Sequence, residues 1–337
     1  MLIKRYRFWE KIMSKIVLCS LSNTSFGISL NQDGFVQGFA NALTRMGNDV
    51  LCVLCNVLPD NVIETAIKKK QPDLIISFNH RGITKNILKE TSCPVAVFFS
   101  DSIPFIVNID LICENPDRYY LLHHSLETFK QAKEYLKIIP GKQQLIFGHA
   151  TDLHKRDDIK QDIDISFIGS LGNWDKSPVF YFQEMEKKSR CSHIDMNFIK
   201  QKYLSHLYSL IKDPIVMQEN DLPLWNEITH FNFSISLILQ ATCQKRYEIL
   251  SHLTDLGLKI FSYPQGMVDV LTYDAKLFEC FDFTLSTTLE DSERNFNRSK
   301  ISLNLPHAQA QTGFSWRVCD ILASNACLLS DPRKDLT

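Results

Sequence analysis

The sequence predicts an α/β protein built as two parallel-sheet domains, and three observations carry that reading. Short apolar runs alternate along the chain with segments of helical period, the pattern of parallel strands buried beneath crossover helices. A polar stretch rich in Asp and Lys, "FGHATDLHKRDDIKQDID", interrupts the alternation near the middle and suits a connection between domains. The 337 residues exceed one ordinary core and suit two domains of about 150 residues each.

Taken in order, residues 1–12 read as an extension before a more ordinary start at Met13, or as a short basic amphipathic segment that touches a membrane surface. No continuous apolar run precedes the first strand, so neither secretion nor a membrane span is expected. The expected place is the cytoplasm, with the inner face of the membrane as the surface such a segment would touch. Strands are predicted at 15–23, 49–57, 73–79, 94–101 and 119–125. In the first helix, "DGFVQGFANALTRMGNDV", Phe35, Val36, Phe39, Leu43 and Met46 share one face, and Gly47 suits the stop. The first domain spans 1–150 and the linker 151–163, after which "DISFIGS" (164–170) opens the second domain, 164–337. A segment of mainly helical period at about 178–255 is longer than one crossover needs and reads as a helical insertion, before "LKIFSY" (258–263) resumes the strands. Ser299 to Asp331 then reads as a strand, a polar loop, a helix and a second strand.

Composition excludes several classes. Hydrophobic residues make up 45%, enough for two cores, and 12 Gly with 12 Pro leave little room for disordered tracts. Lys and Arg total 37 against 38 Asp and Glu, so a net charge of −1 gives no global field for polyanions, and nucleic acid is not an expected partner. The ten cysteines fall largely in apolar runs, among them Cys19, Cys52, Cys55, Cys280 and Cys327, as free thiols in a reducing compartment would. After the first strand Gly27, Gly34 and Gly38 have the wrong spacing for G-x-G-x-x-G, which argues against a dinucleotide oxidoreductase. "PGKQ" at 140–143 lacks the leading glycine and the Ser/Thr of a P-loop. Cys52-x-x-Cys55 reads as part of a strand, where residues three apart face opposite sides, and the neighbours His123 and His124 also point opposite ways. Cys191-Ser-His193 has no partner cluster, so no structural metal is expected.

One stretch carries chemistry. A glycine-bearing loop that runs into a helix offers unpaired amides and the positive end of a helix dipole to a diphosphate. Gly313 and Phe314 would supply the amides, Arg317 a charged fork one turn in, and Asp320 a carboxylate able to accept both hydroxyls of a ribose. The alternative is that Arg317 and Asp320 pair with each other on a helix surface.

The residues "SKISLNL" and "GFSWRVCDILASNACLLSD" resemble the C-terminal signature of the spore maturation protein-like (CgeB-type) glycosyltransferases, a branch of the two-domain GT-B enzymes. That pattern runs S-K-I-N-L-N, then G-x-x-x-R-x-F-E, small residues, G-A and an apolar strand ending in Asp. Upstream, "PVAVFFSDSIP", "FGHATDLHK", "DISFIGS" and "KRYEILSHLTDLGLKIFSY" are similar, in order, to the family's Asp-Pro element, interdomain connection, first C-domain strand and Arg-led helix. The resemblance implies two Rossmann-like domains facing across a cleft, and metal-independent transfer of a sugar from a nucleotide-diphosphate donor to a glycan, lipid-linked or protein acceptor in cell-surface glycan synthesis. It implies no cofactor beyond the donor. In the second domain, Gly169 and Ser170 would approach the diphosphate, and Lys245 and Arg246, at the head of a helix, would neutralise it as it leaves. Lys300 and Asn304 belong to the signature strand. The first domain would hold the acceptor and supply any base, with Asp101, Asp33 and His80 as candidates. Each has a plainer reading: Asp33 as a helix N-cap, Asp101 as a turn cap and His80 as an ordinary loop histidine.

The sequence departs from the family at four points. Asp320 stands where Glu is usual, Asn325 replaces a Gly, Ser302 replaces the first Asn, and the chain stops at Thr337 where such enzymes continue with helices that cross back onto the first domain. The resemblance therefore implies either a chain shortened at its C-terminus or an unusual closure, and it leaves a catalytically weak nucleotide-sugar-binding or regulatory relative as the alternative function. A periplasmic-type ligand-binding protein is disfavoured by the free thiols and the lack of a signal peptide.

Overall fold

In the computed structural model the residues described are 13–20, 34–55, 58–101, 103, 106, 108–136, 138, 141–145, 150–169, 171, 232–262, 274–284, 286, 288–308, 310 and 312–336. The fold is α/β with two parallel sheets of six and four strands. The chain divides into two compact units. One comprises Met1–Ser100, Ile106–His123 and Phe129–Leu145, and the other Asp101–Phe105, His124–Thr128 and Ile146–Thr337.

In the first unit the strands are β1 (Lys15–Ser20), β2 (Asp49–Leu54), β3 (Leu74–Phe78), β4 (Val95–Phe99), β5 (Tyr119–His123) and β6 (Gln143–Leu145). Their order is β2-β1-β3-β4-β5-β6 and every pairing is parallel. The helices are α1 (Gly34–Arg45), α2 (Asp60–Lys70), α3 (Lys85–Glu90), α4 (Ile109–Glu114) and α5 (Leu126–Tyr135), the last of which belongs to this unit only from Phe129 on. Continuous apolar runs such as VAVFF are buried along their whole length, as strands covered on both faces must be. The five predicted strands all form; β3, β4 and β5 end one or two residues earlier than expected, while 21–23 and 56–57, the expected ends of the first two, lie outside the described residues. β6 is additional, since Gln143-Gln144-Leu145 carries no apolar run to announce it. In α1, Val36 and Ala40 are buried and the Phe39 ring meets Phe78 edge-on, with centroids 5.7 Å apart. Met46 does not belong to that face: the helix ends at Arg45, Gly47 turns the chain with φ 87°, and Met46 is 63% exposed. The Phe35 side chain lies outside the described residues.

In the second unit β7 (Ile163–Ile168), β8 (Leu258–Phe261), β9 (Ser299–Asn304) and β10 (Cys327–Ser330) lie in the order β10-β9-β7-β8, all parallel. The described helices are α6 (Asn232–Ser251), α7 (Ala275–Glu279), α8 (Leu289–Arg298) and α9 (Arg317–Leu322). Alternation along the strands feeds two cores. Phe167, Ile260 and Leu303 pack with Leu250, Leu277 and Phe281, while Ile163, Ile168 and Phe261 pack with Phe296 and Ile321. Lys245 and Arg246 do not lead a helix, because α6 already runs from Asn232 and carries both in its interior. The rest of the expected insertion, 178–231, lies outside the described residues.

The linker is tied down onto this unit. Asn297 in α8 is fully buried: its carbonyl accepts from the amides of Arg156 (2.9 Å) and Asn325 (3.1 Å), and its amide group donates to the carbonyls of His154 and Glu293, both at 2.9 Å. Asn325 in turn donates to the Arg156 carbonyl at 2.8 Å. Among the described residues no helix is long and apolar enough to cross a membrane.

Candidate anion-binding site at the carboxyl edge of the second sheet

The carboxyl ends of β7, β8, β9 and β10 place Gly169, Ser262, Leu305 and Asp331 along one edge of the sheet, which is where ligands of open parallel sheets bind. Two arginines converge there. Arg246 is buried and donates from Nε (3.2 Å) and a terminal guanidinium nitrogen (2.9 Å) to the Leu305 carbonyl just past β9. Arg317 opens α9 and reaches the Asn304 side-chain oxygen at 3.4 Å. Both guanidinium carbons lie 5.7 Å from the centroid of the Phe167 ring.

Gly169 makes this arrangement possible, in a way different from the expected one. Its amide does not face outward but donates to the Phe261 carbonyl at 3.0 Å. What the glycine supplies is room: a β-carbon there would lie 2.7 Å from an Arg317 guanidinium nitrogen. Asn304 fixes the neighbourhood, because its oxygen also accepts from the Ser315 hydroxyl (2.9 Å) while its amide group donates to the Ser330 hydroxyl (2.9 Å).

The electrostatics follow from burial. Desolvation, together with the charge of Arg317, pushes Arg246 down to about 9. Burial also lowers Arg317, with Asp320 acting the other way. Two like charges held close in dry surroundings oppose each other, and a bound anion would offset that cost. His307 lies on the same loop beyond β9, which the Ala308 amide anchors to the Thr242 hydroxyl of α6 at 2.9 Å. Burial first, then the charge on Arg246, pushes His307 down to about 3, so it is a neutral imidazole at physiological pH. Ser262, in register one step past the Ile168–Phe261 pair and so beside Gly169, has a buried hydroxyl with no hydrogen-bond partner among the described residues. The arrangement can hold a multiply charged oxyanion: guanidinium forks give the charge, and a hydroxyl and a neutral imidazole give further polar contacts.

The other sequence candidates are placed as follows. Lys245 shares the edge but forms an ion pair with Asp331 at the end of β10. Lys300 is at the wrong end of β9, near its amino terminus, where it pairs with Asp164 at 2.6 Å on the surface. Gly313 is buried against Ser125, whose β-carbon would lie 2.9 Å from a β-carbon at Gly313, so close packing and not an open ring of amides explains this glycine. The helix it precedes spans six residues, with half-buried Phe314 three residues before its start. Asp320 does not pair with Arg317 through a hydrogen bond; its carboxylate accepts from the Thr151 hydroxyl at 2.5 Å. His80 is not at a rim. The left-handed backbone at Asn79 and His80 (φ 51° and 60°) turns the ring inward, where it is fully buried and its Nε2 lies 2.8 Å from the Tyr119 hydroxyl. Asp101 follows β4, half-buried, in the segment that clusters with the second unit. Asp33 and Ser170 lie outside the described residues.

Sequence reasoning missed Phe167, Ser262 and His307. The first two look like ordinary strand residues, but "LPH" immediately past a predicted strand end was a readable signal for the third. No family model matches this chain, and no curated protein is similar to it at a significant level.

Proposed function

We propose that the chain is a two-domain, GT-B-like glycosyltransferase whose second unit binds a nucleotide-diphosphate sugar at the carboxyl edge of its parallel sheet. The observation that carries this reading is the convergence of Arg246 and Arg317 on Phe167 beside Gly169, with Asn304 holding Arg317, a cationic seat in the position where parallel sheets bind phosphorylated ligands. In the reaction the arginines stabilise the negative charge that develops on the leaving diphosphate. Asp101 is the base candidate among the described residues, for a glycan, lipid-linked or protein acceptor.

The test is a calorimetric and thermal-shift screen with UDP, GDP, CMP and ADP sugars. One of them should stabilise the protein, and Arg317→Ala should weaken its binding at least about tenfold, the loss expected for a charge-assisted fork. Undiminished binding by Arg317→Ala would remove the assignment.

A second reading, a nucleotide-sugar-binding protein with weak or no turnover, is favoured by one observation. Asp320, which the family resemblance assigns to the ribose, is engaged by Thr151. Tight binding without donor hydrolysis or transfer selects this second reading.

A further inference from the structure

A second cluster of reactive groups lies at the carboxyl end of the first sheet. Cys19 is the penultimate residue of β1 and Cys55 the first residue past β2. The strands are adjacent and parallel, with Cys19 opposite Val53, and the Cys55 amide continues the ladder by donating to the Ser20 carbonyl at 2.8 Å. Residues two apart on a strand share a face, so Cys55 falls on the side of the sheet that Cys19 occupies. Their side chains meet there around the space beside Gly82, and the Cys55 thiol donates to the Val53 carbonyl at 3.6 Å. Gly82 covers the pair. A β-carbon at this position would lie 2.4 Å from the Cys55 sulfur and 3.5 Å from the Cys19 sulfur, and φ of 72° also favours glycine.

We propose that Cys55 and Cys19 form a peroxide-reactive dithiol, with Cys55 as the attacking thiol and Cys19 as the resolving one. The asymmetry of the pair decides the roles. Cys19 is fully buried, whereas Cys55 is half-buried and lies within the field of Arg81. The hydrogen bond from Cys19 lowers the pKa of Cys55, Arg81 adds to that, and burial and Asp60 act against it. The same hydrogen bond raises Cys19 well above the ordinary thiol range, with burial, Cys55 and Cys52 adding to the rise. In the reaction the Cys55 thiolate attacks one oxygen of a hydroperoxide, the O–O bond breaks, and the departing oxygen takes a proton to leave as water or alcohol. The Cys19 sulfur then attacks the resulting sulfenic sulfur, the S–O bond breaks, and hydroxide leaves with the Cys19 proton as water. Two thiols are oxidised to one disulfide while one peroxide is reduced. A dithiol reductant reverses the change.

The experiment treats the reduced full-length chain with one equivalent of hydrogen peroxide near neutral pH and maps the cysteines by peptide mass spectrometry. A Cys19–Cys55 bridge should form and disappear with dithiothreitol. Cys55→Ser should slow loss of thiols by about tenfold or more. Cys19→Ala should leave a Cys55 sulfenic acid that dimedone traps, and, with the donor gone, the pH midpoint for Cys55 alkylation should move up, a change that a merely structural Cys19 would not produce. Cys327 is the internal control, since it is exposed while neither member of the pair is. Preferential oxidation of Cys327, or a Cys52–Cys55 bridge in place of the expected one, overturns the proposal.

Discussion

Asn297 shows how much one buried polar side chain can organise. It satisfies four backbone groups drawn from the linker, from its own helix and from the loop before β10, with no hydrogen-bonding capacity left over. Asn297→Asp keeps the size of the side chain but places a carboxylate oxygen against two carbonyls. The expected cost is about 2–4 kcal/mol, as for a buried network left with unpaired and repelling groups. Urea denaturation checks it, and an unchanged midpoint would show that the linker contributes nothing to holding the unit together. The same scale explains what the sequence hid. An asparagine near the end of a charged helix looks like a surface residue. Cys19 and Cys55 stand 36 positions apart, and only the pairing of β1 with β2 makes them neighbours. His80 reads as a strand-end loop residue until the left-handed backbone turns it into the core.

At the scale of elements, the strands were legible because a parallel strand covered on both faces must be apolar throughout, and KIVLCS, VAVFF and LIISF could be nothing else. Legibility fails where tertiary packing sets the answer. β6 lacks an apolar run, and α6 begins well before the Lys245-Arg246 pair that seemed to open it. The candidate site was half legible for the same reason: Arg246, Arg317, Asn304 and Gly169 could be picked out by type, but the role of Gly169 as space for a guanidinium depends on contact. Elements are also joined by charge. Arg298, the last residue of α8, holds Asp162 just before β7 with two bonds of 2.9 and 3.0 Å, and this pairing lowers the pKa of Asp162. A depressed carboxylate pKa contributes stability above the unfolded value of about 3.9 and loses it as pH falls through the folded one. Both partners are partly solvated, so the contribution is about 0.5–1 kcal/mol. Asp162→Asn should therefore melt slightly lower than wild type at pH 7, and the two melting curves should converge as pH falls below about 3.9. A difference that persists in acid would assign the effect to packing and not to the ion pair.

For the whole molecule, what matters is the contrast between global neutrality and local charge. A formal net charge of −1 on 337 residues leaves no long-range field to gather anions, and that much was readable from composition alone. The fold nevertheless brings Arg246 and Arg317 to one sheet edge, from positions 71 residues apart, with Lys245 beside them already paired to Asp331. The membership of the compact units was not readable in this way, because segments 101–105 and 124–128 join the second unit through packing that no local pattern encodes. An anion at that edge would feel the guanidinium groups of buried Arg246 and half-buried Arg317 at short range, where salt screens little, and hardly anything else, since the Debye length at 0.15 M is about 8 Å. The affinity of the chain for the nucleotide sugar that stabilises it should thus weaken by less than about tenfold between 50 and 200 mM NaCl, a range over which a ligand held by a broad basic surface loses far more. Calorimetric titration across that range measures the slope. A steep dependence would mean that the anion is held by solvent-exposed lysines at some other place, and it would count against the edge of the second sheet even if Arg317→Ala also weakened binding.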